Sequence, residues 1–150
     1  MTRFDPLRLA AIVLLLYGAN TACAVDYVSV SESSAILYDA PSAKAKKRFV
    51  ANRYMPFEQI VTLKDWVKVR DRSGALYWVE KRVLSDKRYV FALPPVLDAY
   101  AEPDTRSAKV FKARQQVALE YVSSTGAGWV KVRHQDGETG FVRAIDVWGD

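Results

Sequence analysis

The sequence contains very few of the residues from which reactive centres are built. It has one cysteine, Cys23, and one histidine, His134. A single cysteine cannot form a disulfide within the chain, and a lone histidine in a predicted turn beside Asp136 is typical of a solvated side chain. No cluster of metal ligands, glycine-rich phosphate loop or Ser/His/Asp arrangement is apparent. We therefore predict no catalytic residue, no metal site and no cofactor.

Long apolar runs are also missing. The run from Leu9 to Tyr17 has about nine residues, whereas a transmembrane helix needs about 20. Arg3 and Arg8 precede this run, and the small residues of Ala22-Cys23-Ala24 follow it, which is the pattern of a secretory signal peptide. We predict that residues 1–24 are a signal peptide cleaved after Ala24, so that the protein is periplasmic or secreted. The alternatives are a retained membrane anchor and a lipoprotein acylated at Cys23.

The predicted cleavage leaves a mature chain without cysteine and without an integral membrane segment. The whole chain carries a formal net charge of +5, and removal of the signal peptide leaves a mild excess of basic residues. This charge favours anionic envelope material as a partner, and an exported protein is not expected to bind nucleic acid. The densest basic stretch, Lys44 to Arg48, is expected in a loop, either as a solvated face or as a binding patch.

One phrase occurs twice in the chain. Trp66 to Arg70 reads Trp-Val-Lys-Val-Arg, and Trp129 to Arg133 repeats it. Tyr38 and Tyr100 correspond in the same way, with an offset of 62 residues upstream of the phrase and 63 within it. This period is longer than that of stacked solenoids. The sequence therefore predicts two small domains at residues 25–84 and 89–150, joined by a short linker at residues 85–88.

Strand signals dominate both copies. In the repeated phrase, valine alternates with a basic residue, which predicts a strand with one buried face. Turn residues around Gly74 and Gly137 then predict a hairpin in each copy. Helix signals are nearly absent, so each copy is predicted to be a small barrel or sandwich. A domain of about 60 residues is marginally stable alone, and we therefore expect the two copies to pack against each other.

The ordered motifs of each copy resemble those of bacterial Src-homology-3-like (SH3-like) domains. That pattern is a proline after the first strand, a tryptophan followed by alternating valine and basic residues, a glycine, an aromatic–valine pair and a closing apolar residue. The second copy fits almost throughout, and the first departs at Tyr77, where the pattern has glycine. The resemblance implies an all-β fold of two tandem SH3-like β-barrels, each five-stranded and partly open. It also implies a cell-wall or protein-interaction module.

The resemblance suggests where a ligand would bind. The tryptophan of the eukaryotic groove for Pro-rich ligands matches Trp66 and Trp129, but the matching proline and tyrosine positions hold other residues: Glu80 and Val83 in the first copy, and Arg143 and Asp146 in the second. Recognition of Pro-rich ligands is therefore not expected.

Alternation along the preceding strand places further aromatic side chains near the two tryptophans. If Leu37 and Ala99 point inward, the side chains that follow them point outward. The predicted ligand-binding residues are thus four rim aromatics, Tyr38, Trp66, Tyr100 and Trp129. The alternative is that these rings are buried in the barrels or seal the interface between the copies. Glu58 and Glu120 lie in separate copies and are expected to bond a loop or to lie at a strand edge.

These observations predict a noncatalytic periplasmic binding module that recognises peptidoglycan or a protein partner in the envelope. The alternative is a structural or adaptor protein that binds only another protein, through an edge strand or the cleft between the barrels.

Overall fold

The computed structural model describes residues 25–150, and the predicted signal peptide with its cleavage site lies outside the described residues. The described part is nearly all β, with fourteen strands and two short 3-10 turns at Lys81–Val83 and Ala144–Asp146. This confirms the predicted all-β fold class. Across residues 25–150, no helix has the length and apolar character needed to cross a membrane.

Each copy forms its own antiparallel sheet of seven strands. The strands of the first copy are β1 (Tyr27–Val30), β2 (Ser34–Tyr38), β3 (Lys47–Asn52), β4 (Pro56–Thr62), β5 (Trp66–Arg70), β6 (Leu76–Glu80) and β7 (Leu84–Ser85). Those of the second copy are β8 (Tyr89–Ala92), β9 (Val96–Tyr100), β10 (Lys109–Arg114), β11 (Ala118–Ser124), β12 (Trp129–Arg133), β13 (Thr139–Arg143) and β14 (Val147–Trp148).

The two sheets have the same topology. The strand order is β3-β2-β6-β5-β4-β1-β7 in the first and β10-β9-β13-β12-β11-β8-β14 in the second. The sheets have seven strands where the resemblance implied five. The additional strands include a lead strand and a closing strand of two residues in each copy. In the first copy the lead strand β1 pairs with β4 on one side and with the closing strand β7 on the other. The duplication in sequence is therefore a duplication of the whole sheet.

The valines of the repeated phrase point into the barrels, as predicted. Val67, Val69, Val130 and Val132 are at most 1% exposed. They belong to two separate clusters of buried residues, one in each copy. Because side chains alternate between the two faces of a strand, the tryptophan and lysine of each phrase lie on the outer face. Each copy is thus a barrel with its own small core.

The basic stretch Lys44 to Arg48 differs from the prediction. It was expected in a loop, but Lys47 and Arg48 are the first two residues of β3. The loop before β3 contains a turn at Ser42 to Ala45, in which the amide of Ala45 donates to the carbonyl oxygen of Ser42 at 3.0 Å. The basic charges therefore extend from the loop onto the outermost strand of the first sheet.

Aromatic rings hold the two copies together. Tyr27 of β1 meets Trp148 of β14 edge to face, with ring centroids 5.6 Å apart, and Tyr54 stacks on Tyr89 at 4.4 Å. We call this contact the junction. Such aromatic pairs stabilise by about 0.5–1.5 kcal/mol beyond the area that they bury. The two barrels are therefore packed against each other, as the sequence predicted.

The connection between the copies is part of the junction. The guanidinium of Arg88 lies 4.0 Å from the centroid of the Tyr121 ring and donates to the carbonyl oxygen of Gly149 at 3.0 Å. The hydroxyl of Ser29, which is buried, donates to the carbonyl oxygen of Lys87 at 2.6 Å. Residues on both sides of the connection thus hold it in place.

Gly149 tests how tightly the junction is packed. Its φ is +108°, and a Cβ there would lie 2.7 Å from the carbonyl oxygen of Tyr89 and 3.2 Å from the Cβ of Pro56. Gly149→Ala should therefore lower the free energy of unfolding by about 2–3 kcal/mol. Gly137→Ala is the control, because Gly137 also has a positive φ but open space around it, and it should cost about 1 kcal/mol. Equal losses in urea unfolding would contradict a close-packed junction.

The junction should also weaken at alkaline pH. The pKa values of Tyr27 and Tyr89 are raised above 10, chiefly because burial disfavours the charged phenolate. The unfolded chain therefore loses these protons first, and the stability that they confer is present below pH 10 and is lost above it, as the pH rises through the raised pKa values of the folded state. We expect the free energy of unfolding, measured at pH 9, 10 and 11, to fall more steeply in the wild type than in a Tyr27→Phe/Tyr89→Phe variant. Parallel curves would refute the assignment.

Candidate functional site

The repeated strands carry aromatic side chains on the outer face of each barrel. In the first copy, the ring of Tyr38 meets that of Trp66 edge to face at 5.3 Å, and in the second Tyr100 meets Trp129 at 5.9 Å. The structure thus brings together the rim aromatics in the two pairs that the sequence suggested. Leu37 and Ala99 are fully buried, as the predicted alternation requires.

The four rings are not equally accessible. Tyr38 was predicted to point outward, but it is only 5% exposed, whereas Trp66, Tyr100 and Trp129 are half-buried. The pairing of β2 with β3 shifts in register between Leu37 and Tyr38, so the simple alternation does not hold there. Tyr38 packs against Trp66 and offers little surface of its own. The surface open to a ligand in the first copy is chiefly that of Trp66.

Two further aromatic residues belong to these faces and were missed in the sequence. Trp78 lies on β6, opposite Tyr38 of β2 on one side and opposite Lys68 of β5 on the other. Phe141 occupies the same place in the second copy, between Tyr100 and Lys131. The valines that follow them, Val79 and Val142, are buried. Alternation would therefore have placed both aromatic rings outside.

A lysine lies over each of these rings. The Nζ of Lys68 is 5.9 Å from the Trp78 centroid, and the Nζ of Lys131 is 5.7 Å from the Phe141 centroid. Both distances fall within the range of cation–π attraction. We call the sets Tyr38, Trp66, Lys68, Trp78 and Tyr100, Trp129, Lys131, Phe141 the aromatic faces of the two copies.

A shallow groove runs beside Trp66. It has a volume of about 570 Å³ and is lined by Trp66 and by six residues from two loops, the end of β6 and the 3-10 turn that follows it: Ala43, Lys64, Asp65, Glu80, Lys81 and Arg82. Glu80 forms an ion pair with Arg82. Lys64 and Lys81 form no ion pair with any residue that the structure describes. The groove thus combines an aromatic ring with two free ammonium groups.

The surroundings of Trp129 are different in character. Ala127 and Ala144 stand where the first copy has Lys64 and Lys81, and Ile145 beside them is 75% exposed. The Nε of Arg143 donates to Asp146 at 2.7 Å, and this hydrogen bond raises the pKa of the guanidinium. Trp66 therefore lies in a charged environment with three basic and two acidic side chains, and Trp129 lies in a more apolar one.

A deeper cleft lies between the two copies. Its volume is about 470 Å³, and its lining combines apolar with polar side chains from both barrels: Phe49, Val50, Asn52, Arg53, Met55, Asp71, Arg72, Ser73, Phe91, Gln116, Val117, Ala118, Gln135 and Trp148. Trp148 is also a junction residue, so the junction shapes one wall of this cleft. We call it the inter-barrel cleft.

The exposure of Phe49 in this cleft follows from the residue at position 77. In the second copy, Phe111 packs on the core, and a Cβ on Gly140 would lie 3.4 Å from its ring. In the first copy, Tyr77 stands at the position of Gly140 and packs on the core itself. Phe49, the counterpart of Phe111, is 50% exposed. Tyr77 thus fills the space that a phenylalanine occupies in the second copy, and Phe49 lies outside.

This exchange predicts different costs for two equivalent substitutions. Phe49→Ala should change the free energy of unfolding by less than about 1 kcal/mol, because the ring is largely solvated and lies outside the core. Phe111→Ala should cost about 3 kcal/mol, because it removes a ring that packs on the core. Urea unfolding of the two variants would give similar losses if the two rings had equivalent surroundings.

The remaining polar residues singled out in the sequence stabilise the barrels. Glu58 was expected at a loop or strand edge, but it lies on β4 between two paired strands, where its Oε2 accepts from the Nε of Arg70 at 2.6 Å. Glu120 pairs with Arg133 and with Lys87. His134 lies 2.8 Å from a carboxylate oxygen of Asp136 and 5.4 Å from the Phe111 ring, so it packs on the hairpin and is not fully solvated.

The sequence matches two family models, each described as a bacterial SH3 domain, over residues 31–86 and residues 95–145. No curated protein matches it. Similar solved structures include NlpC2 from Trichomonas vaginalis, with 8% identity, coverage of 84% of this chain and 48% of that one, and a TM-score of 0.39. An NlpC/P60 family protein from Bacillus cereus has 15% identity, with coverage of 81% and 55% and a TM-score of 0.38. The chain spans about half the length of these structures.

Proposed function

The chain belongs to the bacterial SH3 domain family, in two tandem copies, and on that premise we propose that it is a noncatalytic binding module of the cell envelope that holds peptidoglycan on its aromatic faces. Bacterial SH3 domains commonly bind peptidoglycan or envelope proteins. The predicted signal peptide at residues 1–24 supports a periplasmic or secreted location.

The observation that carries this proposal is the repeated pairing of a tyrosine with a tryptophan on the outer face of each barrel. Binding sites for small ligands are typically apolar and aromatic, with a few placed polar groups. The apolar faces of sugar rings can stack on Trp66 and Trp129. The carboxylates of peptidoglycan stem peptides can pair with Lys64 and Lys81, whose ammonium groups are free of other ion pairs among the described residues.

The two faces would then bind different parts of the wall. The groove beside Trp66 is basic and suits a carboxylate-bearing stem peptide. The surface beside Trp129, with Ala127, Ala144 and the exposed Ile145, suits an uncharged segment. Two weak sites on one rigid support raise the overall affinity, because the second contact becomes intramolecular.

Co-sedimentation with purified sacculi tests the proposal. The wild-type protein should pellet with the sacculi at low salt, and Trp66→Ala/Trp129→Ala should reduce the bound fraction about tenfold, since buried aromatic anchors carry much of the energy of binding. Circular dichroism should show that the variant remains folded, because the core valines are untouched. A wild-type protein that stays in the supernatant at low salt would exclude the peptidoglycan role.

A charge variant separates specific binding from general basicity. Lys64→Ala/Lys81→Ala should weaken binding and make it less sensitive to salt. The matched control, Lys112→Ala/Arg114→Ala, removes the same charge from the outermost strand of the second copy and should bind as the wild type does. Equal losses in both variants would mean that net charge alone drives retention.

A second candidate function is that of an adaptor that binds another protein. The inter-barrel cleft favours it, because its volume of about 470 Å³ can accept a side chain of a partner protein. The exposed side chains of Phe49 and Val50 border the cleft. Periplasmic crosslinking that recovers one recurrent protein, together with no affinity for sacculi, would support the adaptor role over the peptidoglycan role.

A further inference from the structure

Strand β3 forms one border of the inter-barrel cleft and the outer edge of its sheet. Within the described residues it pairs with β2 alone. An edge strand presents N–H and C=O groups with which another extended chain can pair. Phe49 and Val50, in the middle of β3, are 50% and 57% exposed. This edge therefore offers both backbone hydrogen-bonding groups and apolar side chains.

The charge along this edge is positive. Lys44 and Lys46 precede β3, and Lys47 and Arg48 begin it. None of these four residues forms an ion pair with a residue in the described part of the chain. Asp39, at the end of the loop opposite them, accepts a hydrogen bond from the backbone amide of Lys46 at 3.1 Å. The basic side chains are thus available to an acidic partner.

The second copy is an internal comparison, because its edge strand β10 carries a charged side chain, Lys112, in the middle of the strand. Asp98, on the neighbouring strand, pairs with Lys109 at 2.7 Å and lies 3.9 Å from Lys112. The first copy has Ile36 in place of Asp98 and Val50 in place of Lys112. Charged side chains on an edge strand discourage pairing with a further strand. The first copy lacks this protection at the position of Val50.

The cleft behind β3 has the same sign of charge. Arg53 and Arg72 line it together with apolar side chains. Asp71 also lines it, but one of its carboxylate oxygens accepts three hydrogen bonds within the hairpin, from the amide and hydroxyl of Ser73 and the amide of Ala75. The cleft lining therefore has two cationic side chains against one carboxylate, and its other side chains are apolar or neutral and polar.

We propose that an extended acidic segment of a partner protein adds to the free edge of β3 as a further strand. Its backbone pairs with β3, an apolar side chain enters the inter-barrel cleft beside Phe49, and its carboxylates pair with the basic side chains before and behind the strand. Recognition by strand addition takes affinity from backbone hydrogen bonds and specificity from side-chain pockets. This inference rests on the second candidate function, protein binding, and identifies its site and the chemistry of its partner.

Binding of a synthetic peptide tests the inference. The probe is a fluorescein-labelled peptide of about nine residues, long enough to span a strand, in which glutamate alternates with threonine around one central leucine. It should bind the wild-type protein in a fluorescence anisotropy titration. The same peptide with lysine in place of glutamate should not bind. A form with N-methyl groups on alternate residues should also fail, because it keeps the charge but lacks the donors that face β3.

Two variants place the edge residues of the second copy in the first. Val50→Lys removes the apolar contact of Val50, and the addition of Ile36→Asp introduces a carboxylate that repels the glutamates of the peptide. Both variants should weaken peptide binding, the double variant by about tenfold. Because the second copy folds with these residues, the variants should keep the wild-type stability. Their retention on sacculi should be unchanged, since neither position belongs to an aromatic face.

Three outcomes would overturn the inference. One is no binding of the acidic peptide to the wild type, and another is equal binding of the N-methylated form. The third is a loss of binding in Trp66→Ala but not in Val50→Lys. That last result would leave the protein-binding function intact and move its site to the aromatic face, so failure of the inference is distinguishable from failure of the function on which it rests.

Discussion

The contact between the two barrels is the constraint on which the rest of the structure depends. A domain of about 60 residues buries only about 60% of the surface that its unfolded chain exposes, and the core of each copy is correspondingly small. The rings of Tyr27, Tyr54, Tyr89 and Trp148 add buried surface that neither barrel has alone. Because Trp148 also lines the inter-barrel cleft, the contact that stabilises the barrels also sets the shape of the space between them.

The duplication preserved the interior more closely than the exterior. The inward valines occur in both copies and are equally buried. On the outside, the residues around Trp66 are charged, whereas those around Trp129 are small or apolar. The edge strands differ in the same sense, since Asp98 neutralises lysines in the second copy and Ile36 replaces it in the first. The two copies therefore share the same core and the same fold, but their surfaces differ in charge and polarity.

Much of the fold could be predicted from the sequence, because alternation within a strand depends on neighbouring residues alone. The burial of Val67 and Val69 and the hairpins follow from that periodicity, whereas the burial of Tyr38 does not, because the register of β2 shifts between Leu37 and Tyr38. The outward position of Trp78 could have been predicted in the same way, because Val79, which follows it, points inward. The role of these aromatic faces in binding stays a prediction.

The inter-barrel cleft could not be predicted in this way. It depends on which side chain fills a given volume in three dimensions and on how the two barrels meet. The sequence showed that Tyr77 departs from the glycine of the pattern, but not that Phe49 would lie exposed as a result. The basic stretch was placed in a loop because its alternation is too short to reveal the start of β3.

The exchange between Tyr77 and Phe49 bears on how such a chain evolves. Filling the barrel from a different strand keeps its interior volume nearly constant, so a ring can leave the core without the cavity that normally penalises such a loss. Substitutions inside one repeat can therefore create a different outer surface while the other repeat keeps its own arrangement. In a tandem protein, new specificity can begin in the core, and the surface change follows as its by-product.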